Sequence, residues 1–178
     1  MKIKILNLQK ISFGLVLVFS VLIFIAAIIF STSYCETYLY GNSELVEYYT
    51  NDLQVVNKQY FIYALIIVVS MVIVVLINPK KYYPSFVTYP ILILISVCHI
   101  ILGFLIIGDI SKINNYYLSY DYSVISKLTT YSPNQFYMNF SLVSILGLIV
   151  SNGISCVIYS LGFYKFIVGR SHNDEKNG

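Results

Sequence analysis

Charge is scarce in this 178-residue sequence: Asp, Glu, Lys and Arg make up 11% of it, against roughly 25% in ordinary soluble domains. An integral membrane protein is the class that remains. The cations are scattered through three segments and the net charge is only +3, which argues against nucleic acid as a partner. Cysteine is rarer still, and Cys35, Cys98 and Cys156 stand far apart, so no pair is available for thiol redox chemistry. Histidine occurs only at His99 and His172, too few and too distant for a zinc or haem site. No metal and no cofactor is expected. The apolar runs also lack a Ser-His-acid set, a glycine-rich phosphate loop and paired carboxylates. The chain is therefore expected not to be an enzyme.

What fills the sequence is apolar, with 58% hydrophobic residues and a mean hydropathy of +0.76. Four runs suit transmembrane helices, at about 11–32, 60–77, 86–108 and 139–164. The expected fold is an all-α integral membrane protein, an antiparallel four-helix transmembrane bundle forming a single membrane domain. Its N- and C-termini are read as cytoplasmic, its outer loops as 33–59 and 109–138, its cytoplasmic turn as 78–85 and its polar tail as 171–178.

The sidedness follows from charge. Lys2, Lys4 and Lys10 precede the first run without any acid, which puts the N-terminus inside. A cleaved signal peptide is the rival reading, but the apolar core from Phe13 to Phe30 exceeds the roughly 7–15 residues typical of one. Glu36, Glu44, Glu47 and Asp52 against a single Lys58 place the next loop outside. Asn51 and Gln54 resemble a capping box, so the second helix is expected to begin near Asp52, with Tyr60 and Tyr63 at the headgroup level. Lys80 and Lys81, between Pro79 and Pro84, mark the short turn as cytoplasmic. Pro133 suits a helix start, and the last helix is read to about Val168. The tail from Ser171 to Gly178 is expected to be disordered.

The most organised stretch is the last run. At about 100° per residue, Ser141, Ser144, Gly147, Ser151, Asn152, Ser155, Tyr159 and Gly162 fall on one face, while the other is almost all Leu, Ile, Val and Phe. Lipid gives apolar surfaces no reason to leave it, so membrane helices are joined by close approach at small residues and by hydrogen bonds. A one-sided polar seam is thus a packing face, or else a path. In the third run Ser96, His99 and Gly103 also share a face. His99 and Asn152 should lie at similar depth, and a hydrogen bond from His99 to Asn152 or a neighbouring serine is expected.

An ionisable residue inside a membrane is by default a candidate functional site. Against this, a proton path needs several such groups in series, and His99 stands alone in the four expected spans. The first functional reading is a non-catalytic multi-pass protein of the cell membrane, an accessory or interaction subunit of a membrane complex. Its partners would be the lipid bilayer and a membrane protein or further copies of itself, with Tyr116, Tyr117, Tyr120 and Tyr122 as an outer contact. The alternative is a small oligomeric transporter or channel, with a polar path along the fourth helix and His99.

Overall fold

Hydrocarbon offers no partner to a backbone N–H or C=O, so a segment within it must satisfy these groups internally. Runs such as Val68 to Ile77, rich in β-branched residues that suit strands in water, are therefore helical here. The computed structural model describes residues 2–33, 54–77, 87–119 and 135–177. Among them are four helices: α1 (Lys2–Ser33), α2 (Gln54–Ile77), α3 (Thr88–Ser119) and α4 (Gln135–Asn177). At 1.5 Å per residue they reach about 48, 36, 48 and 65 Å. Each exceeds a hydrocarbon core of about 30 Å. The apolar stretches long enough to cross a membrane are Leu8–Phe30, Val55–Val75, Thr88–Asn115 and Met138–Val168.

Helix ends follow from local chemistry. Ile77 ends α2 two residues before Pro79, where a proline disfavours helical geometry in the residue ahead of it. Pro90 is the third residue of α3, within the first turn, where no amide hydrogen is required. Two ends differ from the sequence reading. The loop expected from Asp109 begins later, because α3 continues to Ser119. No proline interrupts that stretch, and Ile110 and Ile113 pack into the core. The last helix runs on to Asn177, so Ser171 to Asn177 is helical instead of disordered. Extending an existing helix needs no new nucleus, and no proline follows Pro133.

The packing is inverted relative to a soluble protein. Exposed positions are dominated by Val, Ile, Leu and Phe, among them Val18, Ile66, Phe104, Val143 and Val150. Buried positions include Gln9, Ser12, Asn57, His99, Asp109 and Asn152. Water would reverse this distribution; lipid accepts it.

The helices meet as a ring. α4 packs most extensively against α3 and α1, and α2 fills the remaining corner between α1 and α3. The apolar part of the core gathers Ile23, Phe30, Tyr60, Ile67, Ile106, Ile113, Ile145 and Leu148. Phe24 meets Phe61 at 5.5 Å between ring centroids, and Phe30 meets Tyr60 at 5.8 Å. Tyr60 is fully buried, with its hydroxyl 2.6 Å from Ser141 Oγ. Within the bundle Tyr60 faces the interior, where its hydroxyl finds a partner; Tyr63 is half-buried.

Candidate functional site

Glycine sets how closely α4 approaches its neighbours. A Cβ at Gly147 would lie 2.2 Å from the Phe19 ring, and one at Gly162 would lie 2.6 Å from the Tyr89 ring. Gly103 of α3 receives Ile149 in the same way, its Cβ position being 2.8 Å from that side chain. These glycines are places where another helix occupies the volume of a side chain. Gly153, by contrast, has nothing within 4 Å.

The seam serines mostly turn inward on their own helix. Ser144 donates to the Phe140 carbonyl at 2.7 Å, Ser151 to Leu148 at 3.0 Å and Ser155 to Ser151 at 2.8 Å. Asn152 Nδ2 also donates to Leu148, at 2.9 Å. This back-bonding satisfies the hydroxyl proton and leaves oxygen lone pairs facing the neighbours. Ser155 Oγ also meets Ser12 Oγ of α1 in a short bond in which either hydroxyl can be the donor. On α1, Ser20 likewise donates to the Val16 carbonyl.

His99 is 1% exposed and sits at the centre of this layer. Its Nε2 lies 2.6 Å from Ser70 Oγ of α2. Ser70 Oγ also lies 2.7 Å from the Ile67 carbonyl. Its single proton serves one of these two acceptors, and the tautomer of the imidazole sets which side donates in the bond to Nε2. Asn152 lies beside the ring as a hydrogen-bonding neighbour, as expected, although no atom of the chain closes a well-formed bond to Nδ1. The well-formed bond of His99 goes to Ser70 of the second helix, a partner that the sequence reading did not name.

Beside His99 is a small cavity whose polar lining is Ser96, His99, Asn152, Ser155 and Tyr159. Phe13, Val16, Met71, Val74, Leu92 and Ile95 supply the apolar walls. Its size corresponds to about one water molecule. At the end of the bundle nearest this layer, Gln9 Nε2 donates to the Tyr89 hydroxyl at 3.3 Å.

The residues singled out from the sequence therefore divide. Ser96, His99, Asn152 and Ser155 share the cavity; Ser151 is buried and bonded within α4. Gly103, Ser144 and Gly147 belong to contacts or bonds outside the cavity. Tyr116 and Tyr117 lie in the helical extension of α3, and Tyr120 and Tyr122 lie outside the described residues, as does Cys35. Cys98 faces outward and Cys156 is half-buried. Among the described residues no three His, Cys, Asp or Glu side chains come together as metal ligands.

Sequence reasoning missed Ser70, the partner of His99, together with Gln9 and Ser12. Their spacing carried a signal: Gln9, Ser12, Val16 and Ser20 recur at intervals of three and four on α1 and are buried. It also missed Asp109, which lies within α3 and is 4% exposed. One carboxylate oxygen is 3.7 Å from exposed Lys112, and the other has no partner. Ionisable groups in the spans are therefore more numerous than His99 alone. Neither a known protein family, nor a curated protein, nor a solved structure matches the chain.

Proposed function

We propose that the chain is a non-catalytic multi-pass protein of the cell membrane that serves as an accessory or interaction subunit of a membrane complex. The observation carrying this reading is closure of the α4 seam. Gly147 and Gly162 are filled by Phe19 and Tyr89, and the seam hydroxyls use their protons on their own helix or on a facing side chain. A solute path needs a continuous polar opening, whereas the opening beside His99 is of one-water size. An interior of this kind favours a rigid body that acts through its outer surfaces.

The antiparallel arrangement belongs to the same proposal. Along α1 the order Ser12, Phe19 meets Ser155, Gly147 along α4, which runs backwards. The cationic start of the chain favours a cytoplasmic N-terminus, and an even number of spans then returns the C-terminus to that side.

Photo-crosslinking tests the reading. A photoreactive residue placed at Leu146 or Val150 on the outward face of α4, or at Tyr116 of α3, is expected to give a discrete protein adduct in native membranes. The adduct from Leu146 or Val150 should weaken when Tyr116, Tyr117, Tyr120 and Tyr122 are changed to Ala. Lipid adducts alone at all three positions, together with a solute flux in reconstituted vesicles that Asn152→Leu abolishes, would reverse the assignment in favour of a transporter or channel.

A further inference from the structure

We infer that the cavity beside His99 is a built site for one water molecule, which hydrogen-bonds to His99 Nδ1. Three observations converge. First, Nε2 is taken up by Ser70, so Nδ1 needs a partner of its own whichever ring nitrogen holds the hydrogen. Second, that nitrogen is buried in a residue 1% exposed, and no atom of the chain closes a well-formed bond to it although Asn152 lies alongside. Buried polar atoms of this kind are ordinarily satisfied by protein or by ordered water. Third, the ring faces a cavity of one-water size with several polar side chains around it, which is what a buried water requires. Ser70, bonded to Nε2, does not line that cavity, whereas Asn152, beside the ring, does. Nδ1 is therefore the nitrogen on the cavity side.

The lining also selects the occupant. Nδ1 presents either a lone pair or an N–H, and the wall mixes hydroxyls with the Asn152 amide, so a molecule that both gives and accepts hydrogen bonds suits it. A small cation accepts none, no carboxylate lines the cavity, and an unpaired buried charge is strongly disfavoured. Water fits the size, both hydrogen-bonding roles and the absence of counter-charge. Bound there, it bridges His99 of α3 to the polar face of α4.

The test is magic-angle-spinning NMR of the full chain in lipid bilayers, labelled with ¹⁵N-histidine and carrying His172→Gln so that His99 alone reports. Polarisation from water protons is expected to reach Nδ1. Transfer from the Asn152 amide protons with none from water would overturn the site, since Asn152 would then close the bond directly. Val74→Phe fills the cavity from its apolar wall and is expected to abolish water transfer while helix content is unchanged. Transfer persisting at full strength in that folded variant would place the water elsewhere and contradict the assignment; should the variant not fold, the two unmodified-cavity outcomes still decide.

Discussion

The two ends of this bundle face the same kind of exterior and are built differently inside. Toward Tyr60 and Ser141, the interior is mostly Ile23, Ile67, Ile106, Ile113, Ile145 and Leu148, with Phe24, Phe30 and Phe61 in ring contact and Asn57 and Asp109 as isolated buried polar groups. Toward Gln9 and Tyr89, it is Ser12, Ser96, His99, Asn152 and Ser155, closed by hydrogen bonds and glycine contacts. In lipid, apolar side chains gain from close packing alone, and they tolerate many helix rotations. Hydrogen bonds are directional and tolerate few. The apolar end thus supplies cohesion, and the polar end fixes which faces meet.

That division is open to measurement. The largest loss is expected for Leu148→Ala at the apolar end, where the residue is fully buried. Such truncations cost about 2–5 kcal/mol in soluble cores, and the lower part of that range is expected here because transfer from water contributes nothing in lipid. Reversible unfolding in bicelles reads it directly. Next comes Gly147→Ala, which forces the Phe19 ring to move; an overpacking loss of about 1–3 kcal/mol is expected in the same assay. Gly153→Ala is its control, with open space around it and a helix-propensity gain of up to about 1 kcal/mol. An equal loss at both glycines would contradict the close-contact account of α4.

Smaller effects are expected at the polar end. Ser70→Ala removes the hydrogen-bond partner of His99 Nε2, and the loss is expected near the upper measured limit for interhelical bonds, about 1.7 kcal/mol. Ser155→Ala removes one exchangeable serine contact with Ser12 and is expected to cost about 0.6 kcal/mol, the average for such bonds. If Ser155→Ala destabilised more than Leu148→Ala, the polar layer and not the apolar end would be the source of cohesion.

The contrast also explains what the sequence made legible. In α4, small and polar residues stand out against Leu, Ile and Val, so their spacing alone selects the side that is buried. Hydrophobicity carries no such information at the apolar end, because the side chains facing lipid and those facing the core are the same types. Ser70 gave little signal for a related reason: one serine in α2 has no periodicity of its own, and its pairing with His99 depends on how α2 and α3 are rotated. Rotation is set by three-dimensional contacts such as Ile149 in the notch at Gly103. The reach of α3 to Ser119 was hidden by Asp109 and Lys112, which read as loop residues although they form an i,i+3 pair on a continuing helix.

Closure of the α4 seam can be read from solvent access at Ser151. Ser151→Cys, in a background where Cys35, Cys98 and Cys156 are replaced by Ala, would be exposed to a membrane-impermeant thiol reagent in intact cells. No labelling is predicted, because Ser151 is buried with its hydroxyl bonded to its own helix, while a control cysteine at Glu44 reacts normally. Labelling of Ser151→Cys at a rate close to that control would mean that bulk water reaches the seam, and it would contradict the closed bundle.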